Sequence, residues 1–301
     1  MRAVVTGGAG FIGSHVVEAL LARGDEVAVL DDLSKGRREN VAAGAELHVA
    51  DVRDPDAVFD AARPEAVFHL AAQADVRASV ERPEHDADVN VLGTVRVLEA
   101  ARRHGAHVVV ASTGGAIYGE ADGPIPESAE RRPLAPYGAS KLAAEEYLAT
   151  WNRLYGSSHV ALRFANVYGP RQEPHGEAGV VAIFMGLLDT GGTPTIYGDG
   201  RQTRDYVFVG DVVAAVLAAG GSGGGGVYNV GTGVETSVLE LYDAVQRVTG
   251  VRREAEHAEP RLGELRRSVL DVSLAAERLG WTPSHSLDDG LAKTWGWMKE
   301  R

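Results

Sequence analysis

Short apolar runs alternate with longer amphipathic stretches through the first half of the chain. Ala3 to Thr6, Val27 to Leu30, Glu46 to Ala50, Ala66 to Leu70, His107 to Ser112 and His159 to Phe164 are brief and mostly apolar, the pattern of buried strands. Between them, Phe11 to Leu21 carries Ile12, Val16, Val17, Leu20 and Leu21 at helical spacing, and further helices are predicted near 54–62, 85–104 and 137–155. Repeated β-α units of this length predict an α/β fold with a doubly wound parallel sheet over residues 1–165. Beyond Gly169 the alternation loosens, with Pro170, Pro174 and the turn Gly198-Asp199-Gly200. The run Gly220 to Gly226 reads as a flexible surface loop joining a helix to a strand, Val227 to Val230. Residues 166–301 are therefore expected to form a smaller mixed region over the carboxyl ends of the strands, with some segments returning to the sheet.

Composition narrows the function classes. With 301 residues the chain can bury a large core, and its 30 basic against 42 acidic residues, a net charge of −12, argue against non-specific nucleic-acid binding. No stretch resembles a signal peptide or a 20-residue apolar span, so a soluble, cytoplasmic protein without a membrane partner is expected. The absence of cysteine excludes disulfides and thiolate metal sites. Ten histidines without HExxH spacing suggest no metal centre, and His69, at the end of an apolar run, reads as structural.

Two motifs carry the chemistry. Glycines 7, 10 and 13 lie where the first strand meets the first helix. Glycine there allows unusual dihedrals and a close ligand, and the helix N-terminus offers free N–H groups to a pyrophosphate. The second strand ends in Asp31 and Asp32, where a carboxylate suits a ribose 2′-hydroxyl and repels a 2′-phosphate, favouring NAD over NADP. The second motif is Tyr137-Gly138-Ala139-Ser140-Lys141. Tyr137 and Lys141 share a helix face, and an ammonium beside a phenol is expected to lower the phenol's pKa and ready it for proton exchange with an alcohol.

Gly7-Gly8-Ala9-Gly10-Phe11-Ile12-Gly13, Asp51-Val52, His69-Leu70-Ala71-Ala72, Asn90, Tyr118-Gly119 and Tyr137 to Lys141 together resemble the extended short-chain dehydrogenase/reductase superfamily. Arg163 to Gly169, Arg204-Asp205-Tyr206-Val207 and Arg261-Leu262-Gly263-Glu264-Leu265 extend the resemblance to its nucleotide-sugar 4-epimerases of the UDP-glucose (UDP-galactose) type, across essentially the whole chain. The resemblance implies a Rossmann-type NAD-binding region and inversion of C4 of a UDP-hexose through a transient 4-keto sugar. It assigns Gly7, Gly10, Phe11, Ile12, Gly13, Asp31, Asp32, Ser34, Asp51, Val52, Leu70, Ala71, Ala72, Asn90 and Ser112 to the cofactor, with Tyr137 and Lys141 at its reactive end. Asn166, Arg204 and Arg261 are expected at the nucleotide diphosphate, Ile196 and Tyr197 at the uracil, and Glu264 at the uridine ribose. Arginine suits a diphosphate because its fork donates to two oxygens.

One position departs from the family, which usually has Ser or Thr four residues before the tyrosine of its V-Y-G segment. Here Gly114 stands there. Thr113 or Ser112 approaches from next door, a water substitutes, or Tyr137 works alone; Thr113 is the favoured catalytic substitute, and Gly114 is expected at the sugar. Ser268 falls where the family walls the sugar 2-substituent, and its small size predicts acceptance of UDP-N-acetylglucosamine. A UDP-glucuronate 4-epimerase, with Arg266 and Arg267 at the sugar carboxylate, is the nearest alternative. A non-catalytic dinucleotide-binding regulator is a different-class alternative, and Gly114-Gly115 disfavours a dehydratase. By family analogy a homodimer is expected through the helices near 85–104 and 141–155, where Val91, Leu92, Val95, Leu98, Leu142, Leu148 and Trp151 form apolar stripes that could equally face the sheet.

Overall fold

The computed structural model describes residues 1–173, 179–221, 223–260 and 265–300. Strands β1 (Arg2–Thr6), β2 (Glu26–Asp31), β3 (Glu46–Val49), β4 (Ala66–His69), β5 (His107–Thr113), β6 (Val160–Phe164) and a last strand, Gly226–Val230, form one sheet. Its spatial order is last strand, β6, β5, β4, β1, β2, β3, with every pairing parallel. The chain winds outward in one direction from β1 and in the other from β4. That reversal opens a crevice beyond the carboxyl ends of β1 and β4, the usual ligand position in such sheets.

Period-two alternation explains why the sheet needs helices on both faces. Val5, Val29, Phe68 and Val109 pack against Val16, Val17 and Leu20 of the helix Phe11–Ala22 and Val212 and Val216 of the helix Val209–Gly221. Val4, Leu30, Val67 and Val110 pack on the opposite side, against Phe59, Val97, Leu98 and Leu148. Each large side chain buried in this way stabilises the fold by about 1.5–3 kcal/mol.

The strand readings hold to within a residue or so at each end. One helix reading does not. The stretch near 85–104 is not a single helix: a turn Pro83–Ala87 runs into a π-helical turn, Asp88–Leu92, before the α-helix Gly93–His104. The wide turn falls at Asn90, whose side chain is bonded to the neighbouring loop and helix. Such turns concentrate at functional sites. The glycine run is also shorter as a loop than its composition suggests. Gly220 and Gly221 complete the preceding helix, and a Cβ at Gly220 would lie 2.7 Å from Phe68 Cε1.

The helix Pro136–Tyr155 is delimited by Pro136 in its first turn and Gly156 at φ +65°, the usual start and stop residues. Beyond β6, three small strand pairs replace the large sheet: Asn166–Tyr168 with Tyr206–Phe208, Thr203–Arg204 with Thr236–Ser237, and Thr195–Tyr197 with Glu256–Ala258. Among the described residues no helix is long and apolar enough to cross a membrane.

Candidate active site

At the end of β1 the backbone turns through Gly7 at φ +71°. A Cβ on Gly7 would sit 2.7 Å from the Ala71 nitrogen, and one on Gly13 would sit 2.1 Å from the Gly7 oxygen. Only glycine permits this approach between turn, helix and the end of β4. No side chain caps the helix at Gly10, so its first N–H groups are available to an anion. Phe11 and Ile12 are half-buried in that first turn.

Asp31 closes β2 and is buried. Its carboxylate accepts from Ala9 N and Leu33 N, each at 2.9 Å, and burial raises its pKa. Two such bonds leave lone pairs for ribose hydroxyls. Asp32 instead accepts from the Ser34 amide and hydroxyl. Asp51 pairs with Arg53, which also reaches Asp88, and Val52 is buried close to Gly93. Leu70 N and Ala71 N bond back to the Thr6 oxygen and hydroxyl, and Ala72 follows half-buried. His69 is structural: it bonds Thr6 and Thr94, and burial followed by the Lys141 charge takes its pKa down to about 3. A side-chain-free cradle, an uncapped helix end and a buried carboxylate fit a dinucleotide.

Across the crevice, Tyr137 and Lys141 project from one helix. The Lys141 Nζ donates to the Ala111 oxygen at 2.8 Å. Burial lowers the Lys141 pKa to about 8 against the raising influence of Asp86 and Glu145. The expected depression of the phenol does not occur. Burial pushes Tyr137 up to about 12, Asp86 adds to the rise, and a hydrogen bond with the Thr113 hydroxyl opposes it.

Ser112 does not present its hydroxyl freely to the crevice. It donates to Glu145 Oε1 at 2.5 Å, and Glu145 grips Arg163 through a pair only 2% exposed on both sides. Arg163 also donates to the Tyr118 hydroxyl, which donates to Asn229. This buried network braces the end of β5 beneath Thr113. Asn90 bonds Gln73, Asp86 and Ser140. Sequence reasoning passed over Asp86, Gln73 and Glu145; the i, i+4 spacing of Asp86 to Asn90 and of Lys141 to Glu145 was the available signal.

The structure also explains Gly114. A Cβ there would lie 2.5 Å from Leu270 Cδ1, so Leu270 fills the space of the family's side chain while Thr113 engages Tyr137. A Cβ on the adjacent Gly115 would face the Asn166 side-chain oxygen at 3.8 Å. Asn166 is exposed, Ile196 is buried, and Tyr197 is half-buried with its carbonyl accepting from Gln202. Arg204 donates to the Thr203 and Leu265 carbonyls. Ser268 is buried. Arg261 and Glu264 lie outside the described residues. Arg266 pairs with Asp199 and Arg267 with Glu235, so both cations proposed for a sugar carboxylate already have partners.

A glycine cradle at the switch point of a doubly wound sheet, facing a Tyr–Lys pair one helical turn apart, defines an extended short-chain dehydrogenase/reductase. The chain belongs to the NAD dependent epimerase/dehydratase family, whose model matches residues 3–231. It is 52% identical to a UDP-glucose 4-epimerase of Mycolicibacterium smegmatis, covering 98% of this chain and 97% of the relative. It is also similar to the crystal structure of UDP-glucose 4-epimerase from Thermotoga maritima with UDP-glucose, at 45% identity and TM-score 0.97 over 100% of this chain and 99% of the other. A Thermus thermophilus UDP-glucose 4-epimerase complexed with NAD matches at 48% identity and TM-score 0.94, over 99% of both chains.

Proposed function

We propose that this chain is an NAD-dependent isomerase that inverts C4 of a UDP-hexose, interconverting UDP-glucose and UDP-galactose through a transient 4-keto sugar. The observation that carries the reading is the placement of Tyr137, on whose phenol the Thr113 hydroxyl acts, with Lys141 one turn along the same helix, beside a dinucleotide cradle. Gly7, Gly10, Phe11, Ile12 and Gly13 hold the NAD pyrophosphate, Asp31 takes the adenosine ribose, and Leu70, Ala71, Ala72 and Asn90 line the far ribose. Bound NAD supplies the hydride-accepting and hydride-returning centre at C4 and a positively charged ring. Tyr137 takes the proton of the 4-hydroxyl and returns it, with Thr113 as the hydrogen-bond partner that the family normally draws from the Gly114 position. Burial raises the phenol's pKa to about 12; the Thr113 hydroxyl and the positively charged ring of bound NAD would lower it toward the phenolate that accepts the proton. Asn166 and Arg204, with Arg261, anchor the diphosphate away from the reacting carbon, so either sugar face can be presented.

On this reading residues 1–165 mainly bind NAD and 166–301 mainly bind the nucleotide sugar. Ser268, small and buried, leaves room for an N-acetyl group. We also propose a cytoplasmic homodimer, although Leu98 and Leu148 are in the core and cannot form its surface. Val80, Leu92, Tyr147, Leu154 and Tyr155 are the exposed large apolar side chains on and near these helices that such an interface would use. The test is UDP-galactose supplied to purified protein without added NAD. Formation of UDP-glucose supports the proposal, and no C4 inversion on a panel of UDP-sugars overturns it.

A further inference from the structure

Asp86 is 1% exposed and lies outside the glycine turn and the Tyr137–Lys141 motif. It sits on the turn Pro83–Ala87, packed against the helix that carries Tyr137 and Lys141. Its Oδ1 accepts from Gln73 Nε2 at 2.9 Å and Asn90 Nδ2 at 3.1 Å. The same Asn90 nitrogen bonds the Ser140 hydroxyl at 3.1 Å, and that hydroxyl donates to the Tyr137 carbonyl at 3.0 Å. Asn90 Oδ1 accepts from Gln73 N. Asp86 therefore clamps the loop after β4, the π-helical turn and the start of the Tyr137 helix together. Its second oxygen, Oδ2, is buried with no hydrogen-bond partner. A buried carboxylate oxygen left unbonded costs free energy. Among the described residues no cation is ion-paired with Asp86, so its charge acts on the groups nearby.

We propose that Asp86 is a positioning residue for the Tyr137–Lys141 pair: its Oδ1 fixes the Gln73–Asn90–Ser140 clamp, and its unbonded Oδ2 places a negative charge behind the pair. The kinetic part rests on the epimerase reading; the electrostatic part does not. The groups acting on the pair are Asp86 from the turn Pro83–Ala87, Glu145 from the same helix, His69 from β4 and Thr113 from β5. Glu145 is tied to Arg163 and His69 is neutral at physiological pH, which leaves Asp86 as the anion without an ion pair among these groups. That charge makes proton loss harder at both Tyr137 and Lys141. Removing it moves both ionisations to lower pH.

The test compares the full chain with Asp86→Asn, which keeps an oxygen acceptor for Gln73 and Asn90, and with Asp86→Glu, which keeps the charge. Carbon-13 lysine NMR reads Lys141 directly, assigned by its absence in Lys141→Arg; the only other lysines are Lys35, Lys293 and Lys299. The Lys141 midpoint is expected to fall in Asp86→Asn and to stay closer to that of the unmodified chain in Asp86→Glu. Under the epimerase reading, both limbs of the kcat–pH profile move to lower pH in Asp86→Asn. An unmoved Lys141 midpoint in a folded Asp86→Asn variant overturns the proposal, as does a kcat loss with an unshifted profile. Absence of any turnover in the unmodified chain would overturn the epimerase reading and leave the NMR result to decide this one.

Discussion

Replacing Thr113 by valine isolates the hydroxyl proposed to serve in place of a side chain at Gly114. Valine keeps the β-branched shape that suits β5, and the site is only 9% exposed, so packing changes little. What is lost is the hydrogen bond to the Tyr137 phenol. Removing one donor aimed at a reacting oxygen lowers kcat by about 10²–10³-fold, or roughly 2.7–4 kcal/mol of transition-state stabilisation. KM should change far less, because the nucleotide contacts lie elsewhere. The sign of the pH effect also follows. The bond lowers the phenol's pKa, so its loss raises that pKa, and the acid limb of the profile moves to higher pH. Thr113→Ser, which keeps the hydroxyl, should retain most activity. Steady-state kinetics with UDP-galactose across pH is the assay. A valine variant with unchanged kcat would refute the reasoning and return the role to water or to Tyr137 alone.

Tyr137→Phe should retain bound NAD yet lose about 10²–10⁴-fold in epimerisation, read by turnover and cofactor content; near-normal turnover would remove Tyr137 from the mechanism. The unmodified chain should epimerise UDP-N-acetylglucosamine, and Ser268→Tyr should depress that activity selectively; equal loss on both sugars would mean Ser268 is not the gate. Glu145→Leu strands the Arg163 guanidinium, 2% exposed, and should cost about 3–5 kcal/mol in urea unfolding. A loss below about 1 kcal/mol would place the pair with ordinary surface ion pairs. Light scattering at micromolar concentration should give a dimer mass, and a monomer would exclude the proposed apolar interface.

The cofactor half of the site is legible in the sequence because its determinants are local. Gly7 and Gly13 are needed by a turn closed within a few residues, and Asp31 ends the next strand. The strand lengths are similarly readable, since β1, β2 and β4 bury successive side chains on opposite faces and so read as continuous apolar runs. What the sequence hides is set by distant partners. The helix near 85–104 looks uninterrupted in periodicity, yet the bonds of Asn90 to Gln73 and Ser140 coincide with a wide turn. Lys141 stands at the right spacing to lower the phenol, but burial, with Asp86 beside it, decides the outcome.

Gly114 shows how these two kinds of determinant meet. As a sequence position it is a loss, a reactive hydroxyl replaced by hydrogen. In the fold it is one member of a pair with Leu270, whose side chain would lie 2.5 Å from any Cβ placed there. Leu270 is itself held by the backbone pairing of Ile125 with Val269 and Asp271, so it cannot withdraw without disturbing that strap. Restoring serine at 114 alone would overpack the site, at a cost of about 1–3 kcal/mol. On the proposed mechanism the hydroxyl comes from Thr113, the last residue of β5, rather than from position 114, where the Leu270 side chain takes up the space a larger residue would need. The same packing couples the two halves of the molecule. Leu270, which packs against Gly114, lies two residues beyond Ser268, so the position proposed to select the sugar and the position beside the proposed catalytic hydroxyl belong to one short segment.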